Sequence, residues 1–278
     1  MNLRDQYIKD GYIILRNFFE KEKLVSLKEE FLKIGNNFEK EILEYEFVKN
    51  LYLNDKFVNV IKILLNTDKL VYFSDSSVVK HNNVFSPSNG YHNDSRSEDY
   101  NFSNEYPLLR VATYLQESIN ISGGIKIKPG SQNFFCFTLR DFKQRLKIFI
   151  KKILSRDKNF NFKLLSNGVQ PKMEVGDLII WNLRTHHSGT SIRYKFHKNL
   201  SLHPIIEKIL PNFLKIPCND RVAIFMVFGN KNFNNYYLDN YIKNIQNKRK
   251  IKYENLERLK SNLLKYNIQF IPSRINDT

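Results

Sequence analysis

Residues 175–189 read VGDLIIWNLRTHHSG and contain a turn, an apolar strand and two adjacent histidines, in that order. Gly176 and Asp177 form turns readily, and the run from Leu178 to Trp181 is typical of a short buried strand. The residues that follow bring His186 and His187 to the far end of this strand. The stretch therefore predicts a β core with candidate metal-ligating side chains where one strand ends.

Five further β-rich runs share this texture and are separated by Gly, Pro, Asn and Ser. They are residues 70–73, 77–80, 108–115, 124–128 and 222–228. Short runs with no regular intervening helices favour an antiparallel sandwich or jelly roll over a doubly wound sheet. We expect a mainly β fold with helical additions.

Helical periodicity precedes the β-rich part of the chain. Apolar residues recur at spacings of three and four from Leu24 to Ile34, and this pattern predicts an amphipathic helix that ends at Gly35. A second apolar face runs from Phe57 to Leu65, with Asn54 as a candidate N-cap. Two helices are therefore expected before the first long strand.

The composition excludes several classes of protein. The 278 residues include only two cysteines, Cys136 and Cys218, which are too few for a disulfide scaffold or a four-thiolate zinc site. Charged residues interrupt the first 19 positions, and no apolar run approaches the ~18 residues of a membrane span. We expect a cytoplasmic protein with no membrane partner.

The chain is strongly basic, with 44 Lys plus Arg against 28 Asp plus Glu and a formal net charge of +16. A basic surface can bind nucleic acid through phosphate contacts. However, the two most basic stretches, 139–165 and 241–266, also carry apolar residues at helical spacing, as solvated helix faces do. Nucleic acid is therefore not the expected partner.

The chemistry of the candidate site depends on a second motif, His92-Asn93-Asp94. In extended backbone, an H-x-D pair directs both side chains to the same side. A distal histidine could complete a two-His, one-carboxylate triad, which suits ferrous iron and leaves coordination positions open. A turn in which Asp94 caps backbone donors is the alternative. Zinc is the competing metal, but no H-E-x-x-H or C-x-x-C element accompanies the motif.

In this order and spacing, the motifs resemble those of the phytanoyl-CoA dioxygenase family of Fe(II)- and 2-oxoglutarate-dependent oxygenases. The resemblance covers most of the chain. It rests on the opening residues 7–14, the H-x-D pair, the strand 110–116, and the glycine-containing turns 123–125, 129–131 and 175–177. It implies a double-stranded β-helix core, iron, 2-oxoglutarate and O2, and hydroxylation of a substrate C–H bond with release of succinate and CO2.

The resemblance implies that His92, Asp94 and His187 hold the metal. His187 is preferred to His186 because Ser188-Gly189 follows it, as the family pattern requires. Halogenases related to this family replace the carboxylate with a small residue, so the presence of Asp94 disfavours halogenation.

The family also binds the far carboxylate of 2-oxoglutarate with an arginine that opens a strand after the distal histidine. Arg221 opens such a strand and is preferred, although an insertion displaces it from the usual spacing; Arg193 is the alternate. Lys80, Thr113 and Ser188 are further expected cosubstrate contacts.

Four residues flank the predicted metal and could contact an anionic group of a small-molecule substrate. They are Tyr91, Arg96, Arg184 and Arg193. Structural ion pairs are an equal alternative for these arginines.

We expect a single oxygenase domain over 1–278. Its parts are an N-terminal helical region (1–69), a β-helix core (70–230) with insertions at about 138–168 and 190–219, and a C-terminal helical tail (231–278). A catalytically inactive binding or scaffold protein of the same fold is the alternative. The oligomeric state and the substrate's identity do not follow from the sequence.

Overall fold

A computed structural model describes residues 2–34, 40–95, 106–118, 120–133, 168–197, 200–232, 239, 241–243 and 252–272. The helices are α1 (Leu3–Asp10), α2 (Lys21–Ile34), α3 (Glu46–Tyr52), α4 (Asp55–Leu65), α5 (Pro204–Ile209) and α6 (Leu256–Leu264). The strands are β1 (Tyr12–Leu15), β2 (Leu70–His81), β3 (Leu108–Tyr114), β4 (Ile125–Ile127), β5 (Leu178–Asn182), β6 (His187–Gly189), β7 (Arg193–Tyr194), β8 (Lys215–Ile216), β9 (Arg221–Asn230) and β10 (Ile268–Ile271). The expected mainly β core with helices is confirmed.

Both N-terminal helices form where the periodicity predicts them. The side chain of Asn54 accepts a hydrogen bond from the Phe57 amide and caps α4. Gly35, the predicted stop of α2, lies outside the described residues. No helix in the described ranges combines the length and apolarity that a membrane crossing needs.

Six strands form the main sheet, in the order β1-β5-β3-β9-β2-β10. All neighbouring pairs are antiparallel except β2 and β10. On the helix-covered face, Val111, Ile180 and Ile224 join one hydrophobic cluster with α2, α3 and α4. On the other side, called here the inner face, Ala112 and Trp181 pack with side chains of β4. Successive residues of each strand therefore belong alternately to the helix layer and to the inner face.

The short strand β4 lies over the inner face, and two short antiparallel pairs accompany the main sheet. β4 pairs with β6, and β7 pairs with β8. A single antiparallel bridge joins His92 to His187 and extends the β4-β6 pair by one chain segment. Ile125 and Ile127 of β4 are buried in the cluster that contains Ala112 and Trp181. Two β layers thus enclose the inner face.

The predicted runs 70–73 and 77–80 are halves of one strand, β2, which contains a bulge. Its register against β9 shifts between Phe73 and Ser77. Within the bulge, the Ser74 hydroxyl donates to the buried carboxylate of Glu41 at 2.6 Å. The shift amounts to two residues, so even-numbered residues of β2, such as Tyr72 and Val78, lie on the helix-covered face on both sides of the bulge.

The C-terminal part contains more than the predicted helices. Ile268–Ile271 forms β10 and adds a parallel strand to β2. Ile268 and Phe270 are buried while Gln269 is exposed, a pattern too short to identify in the sequence. The predicted insertion 190–219 contains β7, α5 and β8. Only Gly168 of the other predicted insertion, at about 138–168, lies within the described residues.

Candidate metal centre and anion site

The structure brings His92, Asp94 and His187 together. One nitrogen or oxygen from each of the three lies within 4.8 Å of the others. His187 Nε2 is 3.5 Å from Asp94 Oδ2, and His92 Nε2 is 3.9 Å from Asp94 Oδ1. No other such group of three His, Cys, Asp or Glu residues occurs in the described parts of the chain.

Backbone pairing fixes this arrangement. The His92 and His187 amides each donate to the other residue's carbonyl, at 2.9 and 2.8 Å. The Asp94 amide donates to the Leu183 carbonyl at 2.9 Å. The extended backbone at His92 then directs His92 and Asp94 to the side on which His187 lies.

Both imidazoles are oriented for metal binding through Nε2. His92 Nδ1 lies 3.0 Å from the Gly90 carbonyl, and His187 Nδ1 lies 3.0 Å from the Thr185 carbonyl. A carbonyl only accepts, so each Nδ1 carries a proton, which leaves Nε2 as the nitrogen available to a metal. Burial lowers the pKa of His187 to about 4, with Asp94 offsetting part of the effect. This ring is therefore neutral at pH 7.

Asp94 is ionised because of its neighbours. Burial by itself raises the pKa of this carboxyl, but the effects led by the charge of Arg110 outweigh burial and hold the pKa below its ordinary value. Arg110 Nε lies 3.3 Å from Asp94 Oδ2. The same guanidinium donates to Asp75 at 2.7 Å. Arg110 has no predicted site role, and its only signal in the sequence is its place in the strand 110–116.

His186 faces away from the triad. Its Nε2 lies 3.3 Å from the Asn93 side-chain nitrogen, and its amide hydrogen bonds to Ser131 Oγ at 2.8 Å. Because side chains alternate along extended backbone, Asn93 and His186 share the side opposite His92 and His187.

A second polar cluster surrounds Arg221 at the start of β9. Arg221 Nε donates to the Gly123 carbonyl at 2.6 Å, and Nη1 lies 3.1 Å from His81 Nδ1. The guanidinium carbon is 5.5 Å from the Tyr114 ring centre. Burial raises the pKa of Tyr114, and Arg221 offsets part of this increase. The phenol therefore stays protonated at neutral pH. The buried Tyr114 hydroxyl has no hydrogen-bond partner among the described residues.

Gly123 is required for this arrangement. Its φ of +117° disfavours any other residue, and a Cβ there would lie 2.6 Å from Cys218 Sγ and 3.3 Å from Arg221 Cδ. The predicted double-glycine turn therefore provides both a carbonyl acceptor and the space in which Arg221 lies.

Between the two clusters the inner face is aromatic. The Trp181 ring is centred 5.2 Å from the His187 ring and 6.3 Å from Phe225. Phe225 in turn lies 6.3 Å from Tyr114, which adjoins Arg221. The metal-ligand cluster and the arginine cluster are thus connected by one continuous apolar floor.

Arg193, the alternate cosubstrate arginine, is buried elsewhere in the hydrogen-bond network. Its Nε and Nη2 both lie within hydrogen-bond distance of the Ser118 carbonyl, at 3.1 and 2.7 Å. Its amide donates to Ser122 Oγ at 2.8 Å. These bonds link β7 to the segment after β3.

The structure does not bring Lys80, Thr113 and Ser188 to these clusters. The Lys80 ammonium donates to the Phe31 carbonyl in α2. Thr113 lies beside Tyr52 of α3, whose pKa is raised by burial and partly lowered by the threonine. Ser188 Oγ donates to the carbonyl of Asn89 at 2.7 Å. His81 follows Lys80 in the chain, and Tyr114 follows Thr113. These two following residues lie on the inner face, beside Arg221.

Two of the expected substrate residues are stacked against other side chains. Lys128 Nζ lies 4.5 Å from the Tyr91 ring centre, and the Arg184 guanidinium lies 4.2 Å from the Tyr106 ring centre. Arg96 lies outside the described residues. None of these contacts identifies a substrate group.

The chain matches no family model and no curated protein sequence. It does match solved structures. EctD from S. alaskensis with bound Fe is 14% identical over 83% of this chain and 77% of that one, with a TM-score of 0.53. The chain has the fold of these structures. SnoN, a non-heme alpha ketoglutarate dependent epimerase from nogalamycin biosynthesis, gives a TM-score of 0.51 at 14% identity over 82% of each chain. EvdO2 from Micromonospora carbonacea var. aurantiaca, complexed with 2-oxoglutarate, gives 0.50 at 14% identity over 81% of this chain and 88% of that one.

At this identity the likeness concerns the fold alone. The residues specific to this chain are those of the two clusters on the inner face.

Proposed function

We propose that this protein is a non-haem Fe(II)- and 2-oxoglutarate-dependent oxygenase of the phytanoyl-CoA dioxygenase family, with a double-stranded β-helix core. Its reaction is hydroxylation of a C–H bond in a small-molecule substrate. Bound iron, 2-oxoglutarate and O2 supply the oxidising chemistry, with succinate and CO2 as coproducts.

The observation that carries this proposal is the triad of His92, Asp94 and His187. Three protein ligands, two neutral imidazoles and one carboxylate, leave coordination positions open, as a non-haem iron oxygenase requires. The two Nδ1 atoms donate hydrogen bonds to the Gly90 and Thr185 carbonyls, and such bonds commonly orient metal-binding histidines. The donor set therefore fits ferrous iron without rearrangement of the backbone.

The arginine cluster fits the cosubstrate. Arg221 offers a fixed guanidinium for a carboxylate, and the Tyr114 hydroxyl beside it lacks a protein partner. The rings of Trp181 and Phe225 between the clusters offer an apolar surface for the carbon chain of a dicarboxylate. EctD and EvdO2, which share the fold, were solved with 2-oxoglutarate.

The role of the protein is to position the reactants. The triad fixes the metal, Arg221 orients the cosubstrate, and the buried aromatic floor shields the reacting atoms from solvent. SnoN is an epimerase on the same fold, so hydroxylation is supported here by the family motifs and the presence of Asp94 rather than by the fold.

Metal binding can be tested without turnover, because Trp181 is the only tryptophan and contacts His187. Co(II) or Ni(II) bound by the triad is expected to quench Trp181 fluorescence saturably. His187→Ala should abolish the quenching, and His186→Ala should leave it unchanged, which makes the adjacent histidine a matched control.

Turnover is tested by the conversion of 2-oxoglutarate to succinate under Fe(II) and O2. We expect slow uncoupled conversion by the wild type and none by Asp94→Ala. A folded wild type with neither metal quenching nor succinate formation would instead support the inactive scaffold protein.

A further inference from the structure

His81 belongs to the Arg221 cluster through the register of the main sheet. The two residues are direct partners across β2 and β9. His81 Nδ1 lies 3.1 Å from Arg221 Nη1 and 3.1 Å from Thr190 Oγ1. Three segments that are far apart in sequence therefore meet at one imidazole nitrogen.

The protonation state of His81 follows from its partner. Arginine has only donor groups, so Nδ1 must be the unprotonated nitrogen and the proton must reside on Nε2. Burial and the charge of Arg221 both lower the pKa of His81, which is consistent with a neutral ring. His81 thus accepts from the arginine without adding a second charge beside it.

The guanidinium is held from two sides. Nε is bound by the Gly123 carbonyl and Nη1 by His81, and these two bonds fix the plane of the group. Arginine has five N–H donors in a rigid fork, so three remain for an anion. Without the His81 acceptor, one side of this support is lost.

Thr190 supplies a second, independent observation. It is buried, and its φ of 55° is the left-handed conformation, which is a genuine outlier for a β-branched residue. Such strain persists where the surroundings fix it, and it clusters at functional sites. Here the strained residue presents its hydroxyl to His81 Nδ1.

We propose that His81 is a positioning residue that holds Arg221 in the orientation that receives the distal carboxylate of the cosubstrate. This inference rests on the proposed function. The sequence predicted Lys80, a cation, as the cosubstrate contact on this strand. The inference gives a role at this site to its neighbour His81, a neutral acceptor.

The test compares two substitutions of His81 in the full-length protein. In His81→Asn, the side-chain oxygen is the same number of bonds from Cβ as Nδ1 is and can still accept from Arg221. In His81→Leu, the acceptor is absent. Each variant is loaded with Ni(II), and its affinities for 2-oxoglutarate and for pyruvate, which lacks the distal carboxylate, are measured by calorimetry.

We expect His81→Leu to weaken 2-oxoglutarate binding at least tenfold, because a charge-assisted hydrogen bond is lost. Its affinity for pyruvate and its Ni(II) quenching of Trp181 should stay within about threefold of wild type, and His81→Asn should restore 2-oxoglutarate affinity to a similar range. Equal weakening of both 2-oxo acids, or unchanged 2-oxoglutarate binding in His81→Leu, overturns the inference while leaving the proposed function intact. A folded wild type that binds neither Ni(II) nor 2-oxoglutarate overturns both.

Discussion

A buried ion pair joins the insertion between His187 and Arg221 to the sheet that carries His187. Lys126 of β4 and Glu207 of α5 are both fully buried and form a salt bridge. Lys126 also donates to the Leu202 carbonyl at 2.6 Å, and the Tyr194 hydroxyl donates to Glu207 at 3.0 Å. Burial lowers the pKa of Lys126 to about 8, although Glu207 opposes this effect.

Glu207→Gln isolates the charge of this pair, because glutamine can still accept from Lys126 and Tyr194. Removing one partner of a buried pair typically costs about 3–5 kcal/mol, since the other charge is left uncompensated. This cost has an upper limit, called here the ceiling, because the folded variant can release the proton of Lys126 and so avoid a buried unpaired charge. An unfolded lysine has a pKa of about 10.4 and each pKa unit corresponds to about 1.36 kcal/mol, so at pH 7 the ceiling is about 4.6 kcal/mol.

The ceiling also gives the sign of the pH dependence. If Lys126 is neutral in the folded variant, the unfolded chain binds one more proton between pH 7 and about 10, and stability rises with pH. The free energy of unfolding of Glu207→Gln should then increase by about 1.4 kcal/mol per pH unit between pH 7 and 9 relative to the matched control Lys126→Met/Glu207→Gln.

Urea denaturation of wild type, single variant and double variant at pH 7, 8 and 9 measures these quantities. The double variant should recover part of the stability lost at pH 7, because it contains no unpaired charge at position 126. A single-variant loss below about 1 kcal/mol, or an identical pH slope in the single and double variants, would refute the reasoning.

Three further substitutions test other parts of the structure. Burial raises the pKa of Glu41, so the stabilising contribution of its protonated form is present at low pH and is lost as pH rises through the folded-state pKa. Glu41→Gln should therefore gain stability relative to wild type as pH rises above about 4.3. Denaturation of both proteins at pH 4 to 7 measures this difference. Gly123→Ala should destabilise by at least about 1–3 kcal/mol, because of its positive φ and the approach to Cys218, and Cys218→Ala in the same chain should recover only the steric part; an unchanged melting temperature would contradict this. Tyr241→Phe removes the 2.6 Å hydrogen bond to Asp75 and should cost about 1–3 kcal/mol in urea denaturation, whereas a neutral effect would show that Asp75 is fully satisfied without it.

The sequence predicted much of the secondary structure because the relevant signals are local. The apolar periodicity of α2 and α4 and the Asn54 cap depend on residues within a few positions of one another. The runs that became β3, β5 and β9 are continuous apolar strands between turn-forming residues. By contrast, β10 was missed because its four residues are stabilised by pairing with β2 rather than by their own pattern.

The sequence predicted less well on which face of the sheet each side chain lies, because the face changes with every residue along a strand. Side chains alternate in a strand, so an error of one position moves a residue to the opposite face. The register of β2 against β9 shifts by two residues at the bulge, so the alternation from Leu70 is kept: Lys80 lies on the helix-covered face and His81 lies beside Arg221. In β3 the residue beside Arg221 is Tyr114, while Thr113 lies on the helix-covered face.

The sequence by itself determined the chemical types present: two histidines and an aspartate in spaced motifs, a strand-leading arginine, and a glycine turn in which a larger residue would not fit. These are properties of short segments. Only the tertiary structure decided that Arg110 adjoins the Asp94 carboxylate and that His81 and Thr190 lie beside each other next to Arg221. Each of these depends on pairing between segments far apart in the chain, where backbone hydrogen bonds and one bulge set the register.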